Sequence, residues 1–246
     1  STLKSRRFDA AGRPLTEASL INSDHGGYDF SPHVARRADG GFVSVWSNFE
    51  SGVAARSIGR IYDSDGRARG SAFVIDEATS GYLSYPAIAA AGDGSFVASW
   101  SRRDSEDDPG RIVARRFASG GQPKGPEINI ATQATGIVGY TDAALMPGGG
   151  FVIVWGEHNV LNPQIRGREF GPDGSARGEP FFASATDGSD APAIAADTNG
   201  GLIVTWSVID GVKARRFTTD PVCGDADGDT KTSAIDALVA LRTAVG

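Results

Sequence analysis

One phrase recurs four times and constrains the fold more than anything else in the chain. It is a strand of small residues, a turn with Gly, then an apolar strand that ends in Trp. It reads Pro32-His33-Val34-Ala35-Arg36-Arg37-Ala38-Asp39-Gly40-Gly41-Phe42-Val43-Ser44-Val45-Trp46 and returns over 86–100. Two further copies centre on Gly149-Gly150-Phe151-Val152-Ile153-Val154-Trp155 and Gly200-Gly201-Leu202-Ile203-Val204-Thr205-Trp206. The Trp-to-Trp steps are 54, 55 and 51 residues.

A second phrase follows each Trp and also opens the chain: a strand carrying Arg and an aromatic, a Gly turn, then a short closing strand. Its copies are Arg6-Arg7-Phe8, Arg60-Ile61-Tyr62, Arg115-Arg116-Phe117, Arg168-Glu169-Phe170 and Arg215-Arg216-Phe217. The closing strands fall at 18–21, 72–75, 127–130 and 180–183. One unit is therefore four short strands, A to D, with tight turns where Gly and Asp tolerate positive φ. A period near fifty with four strands per unit is the signature of a propeller blade. The expected fold is all-β, a propeller-like array of about four four-stranded blades over 1–220. A short calcium-loop–helix is expected to follow over 221–246.

The strand count does not balance. Four A–B pairs accompany five C strands, so the N-terminus supplies C and D alone and the last unit lacks D. Two arrangements satisfy this count. A four-bladed ring can close with the N-terminal D strand in the last sheet. Alternatively, an open stack of about four and a half units can close by pairing with another chain, since an unpaired edge associates readily.

Composition narrows the function classes. The net charge of −6 gives no basic footprint for nucleic acid. No apolar run approaches the ~20 residues of a membrane-spanning helix, so membrane insertion is not expected. No nucleophile elbow, P-loop or dinucleotide fingerprint is present. Trp46, Trp100, Trp155 and Trp206 could stack on sugars, but their equivalent positions at the ends of apolar strands assign them to packing between blades. The repeated Arg lies two positions before an aromatic, on the same strand face, and is expected to pack its stem there.

In repeat proteins, binding residues sit where the pattern breaks. The B–C loops break it and share one side of the array. Asp104, Asp107, Asp108, Glu157 and His158 are therefore the candidate ligand-binding residues. Their carboxylates could contact a glycan or protein, or serve as an acid–base pair. The leading expectation is a non-catalytic binding or scaffold module. The alternatives are a polysaccharide-active enzyme, glycosidase or lyase, using loop carboxylates, and a structural subunit assembling through its open blade edge.

The tail departs from the repeat. Numbered from Asp225, a loop places Asp225, Asp227, Asp229, Lys231, Ser233 and Asp236 at positions 1, 3, 5, 7, 9 and 12. That is calcium-loop spacing, with side-chain oxygens at 1, 3 and 5, a backbone carbonyl at 7 and a carboxylate at 12. An all-oxygen ligand set suits Ca²⁺. Ser233 can cap the short amphipathic helix that follows, with Ile235, Leu238, Val239 and Leu241 on its apolar side. Cys223, just before the loop, is the one cysteine.

Residues 224–246 resemble one half of a dockerin, carried by Asp225, Asp227, Asp229, Lys231, Ser233, Asp236, Leu238 and Leu241. Position 6 is Thr230 where such loops usually carry Gly, and the second loop–helix is absent from this stretch. The resemblance implies a cohesin-like partner or self-association. The repeats over 1–218 resemble the Asp-Gly-Gly-Phe-Val-x-Val-Trp repeats of large secreted bacterial proteins. That resemblance implies a secreted or cell-surface location and supplies no catalytic residue.

Overall fold

The computed structural model describes residues 2–22, 26–50, 55–77, 82–105, 107–108, 110–132, 137–158, 163–184 and 190–217. The calcium-loop residues Asp225, Asp227, Asp229, Lys231 and Asp236 lie outside them, as do Cys223 and the expected tail helix.

The described chain is all-β. A 3-10 turn at Pro147–Gly149 is its one helical element. The first strands, β1 (Lys4–Ser5) and β2 (Ser19–Leu20), pair with each other in a two-stranded sheet. Blade I follows as β3 (Tyr28–Arg36), β4 (Phe42–Phe49), β5 (Arg56–Tyr62) and β6 (Phe73–Glu77). Blade II is β7 (Tyr82–Ala90), β8 (Phe96–Arg103), β9 (Arg111–Phe117) and β10 (Ile128–Thr132). Blade III is β11 (Ile137–Leu145), β12 (Phe151–His158), β13 (Gln164–Phe170) and β14 (Ala176–Ser184). Blade IV has, among the described residues, three strands, β15 (Asp190–Ala196), β16 (Leu202–Val208) and β17 (Gly211–Phe217). Every sheet is an antiparallel meander of consecutive strands. β2 stays with β1 and does not complete blade IV.

The recurring turn explains the recurring Asp-Gly. In the first A–B turn, Gly40 sits at φ +82°, and the Asp39 carboxylate accepts the Gly41 N–H at 3.0 Å. Gly41 has no room for a side chain, because a Cβ there would lie 2.3 Å from the Tyr62 carbonyl oxygen. Asp93, Asp173 and Asp197 capture turn N–H groups in the same way. These Asx contacts satisfy backbone donors that a two-residue turn leaves open.

Blades stack through the faces that the alternation predicts. Val43, Val45, Ile61 and Ile75 of blade I meet Ile88, Phe96, Trp100, Val113 and Phe117 of blade II. The pattern repeats between blades II and III around Trp155 and between III and IV around Trp206. All four Trp are buried, each contributing at most about 5 kcal/mol of transfer free energy. The repeated Arg stems lie over their aromatics, with guanidinium-to-ring distances from 5.2 to 6.0 Å at Arg215–Phe217, Arg6–Phe8, Arg60–Tyr62 and Arg168–Phe170. Two further arginines latch successive blades. Arg37 donates to the Ser119 carbonyl and Arg116 to the Pro172 carbonyl, each at 2.7 Å.

Candidate active site

The first strands of the four blades, β3, β7, β11 and β15, lie side by side around one axis. Each breaks register at the same place: between Phe30 and His33, Ser84 and Ala87, Val138 and Thr141, and Asp190 and Ala193. In three blades the bulge holds a non-glycine residue at positive φ, directly before proline: Ser31 at 50°, Tyr85 at 55° and Ala191 at 46°. Proline suits the unpaired position because it has no N–H to lose. Such backbone is costly and is retained where a side chain must be re-aimed. In blade III Thr141 replaces the proline. Its hydroxyl lies 3.0 Å from Ser99 Oγ and donates to the Tyr85 carbonyl at 3.3 Å, both on blade II.

Just past the bulge, blades I and III place polar groups where II and IV place alanine. His33 Nε2 lies 3.5 Å from Asp142 Oδ1, joining two blades that are not sequence neighbours. Asp142 is buried. Its oxygens also accept the Ala143 N–H and the Ile194 N–H of blade IV, each at 2.8 Å. Burial pushes its carboxyl above the usual carboxylate range, against the pull of those N–H groups and of His33. His33 Nδ1 is buried and makes no hydrogen bond among the described residues. The His33 ring also lines a cleft of about 790 Å³ that separates β1–β2 from β3 and β4.

Two tyrosines and a second carboxylate stand elsewhere on these inner strands. The rings of Tyr85 and Tyr140 have centroids 4.0 Å apart. Burial raises the Tyr85 pKa, and its hydrogen bond to Tyr140 and the charge of Asp190 raise it further. Asp190 begins β15, and its Oδ1 accepts the Ala191 N–H at 2.6 Å. Asp29, at the matching end of β3, is buried and bound by the amides of Asn22 and Asn48. The inner strands thus carry carboxylates in distinct settings. Among the described residues, no group of three His, Cys, Asp or Glu is placed to hold a metal ion.

The loop residues expected to bind ligand are disposed differently. Asp104 is held by Arg102 at 2.7 Å and Arg111 at 2.5 Å. The Arg102 hydrogen bond is the main force lowering its pKa. Asp108 closes the same loop by accepting the N–H groups of Asp104 and Gly110 at 2.7 and 2.9 Å, which lower its pKa. Asp107 is exposed. Glu157 pairs with Arg166 at 3.2 Å. His158 ends β12, and its side chain lies outside the described residues. Asp104 and Glu157 are thus bound by arginines of the adjoining strands and Asp108 by backbone N–H groups. His33 and Asp142 have a signal in the repeat alignment: they stand where the other two A strands carry Ala87 and Ala193.

No protein-family model matches this chain, and no curated protein matches its sequence. Its fold does have relatives among solved structures. An endo-arabinase from Bacteroides thetaiotaomicron superposes with a TM-score of 0.55 at 14% identity, over 83% of this chain and 82% of that one. A protein assigned as a glycoside hydrolase from Bacteroides ovatus gives 0.51 at 11% identity, over 80% and 69%. Another so assigned, from Parabacteroides distasonis, gives 0.51 at 11% identity, over 85% and 72%. The likeness shows a β-propeller-like fold. It also corrects the leading functional expectation. The relatives carry the names of carbohydrate-cleaving enzymes, so the non-catalytic binding or scaffold reading gives way to the polysaccharide-active alternative. No helix among the described residues is long and apolar enough to cross a membrane, which says nothing of β-barrels.

Proposed function

We propose that the protein is a polysaccharide-active glycosidase working at the axial mouth of the propeller. The observation that carries this reading is the buried Asp142–His33 pair on inner strands that also carry Asp190, Tyr85 and Tyr140, on a fold shared with an endo-arabinase. Asp142, whose protonated form burial favours, supplies the proton to the departing glycosidic oxygen. Asp190, less buried, acts as the charged partner, either activating water or attacking the sugar. His33 positions the Asp142 carboxyl, and the tyrosine pair offers a ring surface on which a sugar can stack.

The test is reducing-sugar release from a panel of plant polysaccharides that includes arabinan. Wild type should release product, and Asp142→Asn and Asp190→Asn should each lower the rate by about 100-fold or more. No release from any substrate, or unchanged rates in both variants, would sink the proposal.

Secretion and calcium belong to the same reading, since an extracellular glycan requires an extracellular enzyme. The loop at Asp225, Asp227, Asp229, Lys231 and Asp236 has the spacing to bind Ca²⁺ and tether or stabilise the domain. A chelator should lower the melting temperature of wild type and leave Asp225→Ala/Asp236→Ala unaffected. Equal melting of wild type with and without chelator would refute the calcium assignment.

A further inference from the structure

The repeats provide an internal standard for a covered blade face. Ile88, Ala143 and Ile194 each pair with the residue two before their Trp and face the preceding blade, and none is more than 9% exposed. Val34 holds that position in blade I and is 62% exposed. On the opposite face, Val43, Val97 and Val152 precede their Trp by three residues, meet the following blade and are at most 2% exposed. Ile203 holds that position in blade IV and is 48% exposed. One face is therefore uncovered at each end of the series.

What lies beside the first of these faces is half a blade. β1 and β2 match strands C and D of the repeat, with Arg6 stacked on Phe8 as Arg60 is on Tyr62. They cover the outer part of blade I's face, where Tyr62 donates to the Ile21 carbonyl at 2.9 Å. Strands A and B have no counterpart there. The cleft of about 790 Å³ lies where they would stand, walled by Val34, Arg36 and Phe42 on one side and by Lys4, Arg7 and Phe8 on the other. Among the described residues, no carboxylate lines it. Blades I and III meet at the axis through His33 and Asp142. The two uncovered faces, on IV and I, bound one sector, and β1–β2 fills its rim.

We infer that this sector is the seat of one more A–B hairpin of the repeat's own kind. Its apolar strand bonds to the free edge of β1, its valine face covers Val34 and Phe42, and its Trp face covers Ile203. The contact continues the three inter-blade interfaces already present. The Asp-Gly turn of such a hairpin lies at the end of the blade where Arg36 stands in place of Ala90, Leu145 and Ala196, and brings that cation an acid. The hairpin would make a fifth blade and close the array.

The experiment places the sequence of 82–110, an A–B hairpin with its own B–C loop, ahead of Ser1 in the full chain. The melting temperature should rise by about 5 °C or more, and exchange of the β1 amides should slow at least tenfold. Val34→Ser and Ile203→Ser should shift melting by under about 1 °C in the parent and by several degrees in the fusion. If the fusion fails to fold, the same sequence added as a separate peptide must still protect β1. Absence of protection in both formats overturns the inference. So does a parent dimer, seen by light scattering, that the fusion leaves intact. Stabilisation of the parent by polygalacturonate, with no effect of the fusion, would instead make the cleft a site for anionic glycan and also overturn it. None of these readouts depends on catalysis, so the glycosidase reading stands or falls separately.

Discussion

Asp104 and Asp142 both stand on or beside strands that reach the same end of the propeller, and they live under different conditions. Asp104, in the loop after β8, is bound by Arg102 and Arg111 and stays ionised. Burial opposes the Arg102 charge, but hydrogen bonding to Asp104 and the charges of Asp76, Asp104 and Glu127 outweigh it and hold its pKa high. Asp142 has no arginine. It has a histidine, two backbone N–H groups and little water, and its proton is held more tightly than usual. At the rim, charge is neutralised by charge, which fixes a loop. At the axis, burial favours the neutral carboxyl. Acidic residues in a variable loop are easy to notice, but those already saturated by arginine have little left to give a ligand.

The largest effect that separates the two regions is on activity. Asp142→Asn and Asp190→Asn should remove at least about 99% of turnover, whereas Asp104→Asn and Glu157→Gln should stay within about threefold of wild type. A loop variant that loses as much as an axial one would erase the distinction. Next in size is stability. Asp104→Asn leaves Arg102 and Arg111 without their shared acceptor and should cost up to about 1 kcal/mol in urea unfolding, given its partial exposure. A cost near zero would mean that the loop is held by Asp108 alone.

The pH dependence has opposite signs in the two regions. The folded pKa of Asp142 lies above its ordinary 3.8, so in the window between them the native state keeps a proton that the unfolded chain has lost. Stability contributed by that group falls as pH rises through the window, and Asp142→Asn should flatten the fall. Asp104 and Asp108 have lowered folded values. Their contribution is present above 3.8 and is lost as pH drops through those values. Urea midpoints from about pH 3 to 7 for wild type and both Asn variants check this. A steeper fall in Asp142→Asn would reverse the assigned sign. The smallest effect is on salt dependence. At 1 M salt the screening length is about 3 Å, so the stability cost of Asp104→Asn should shrink while the activity loss in Asp142→Asn persists.

Much of the fold can be read from the sequence because each blade repeats the same physical problem. The Asp-Gly turns, the alternation in Phe42-Val43-Ser44-Val45-Trp46 and the Arg-x-aromatic strands each solve it locally, so strands and core faces follow from the residues. The surplus C strand was equally visible, and β1–β2 standing as a separate sheet is its structural form. The axial site is harder to read because its members come from different repeats. His33 and Asp142 are 109 positions apart, and only the curvature of the array brings them together. The bulge that aims His33 depends on Ser31-Pro32, and proline alone does not announce a positive φ at the residue before it. The arginines that bind Asp104 and Glu157, Arg102, Arg111 and Arg166, lie on the flanking strands, so these pairings form only once the strands are side by side.

The meander connectivity also shapes how the molecule gains and loses its structure. Each sheet is made of strands adjacent in sequence, and among the described residues no strand is lent from one end of the series to the other. Most contacts are therefore either within a blade or with the next one, so blades can form as successive local units without a distant strand having to find its place first. The same connectivity leaves both ends without the mutual clamp that a shared strand provides. Blades II and III, packed on both faces, should hold their amide protons longest, and blade IV, with a bare face and three strands, should release them first.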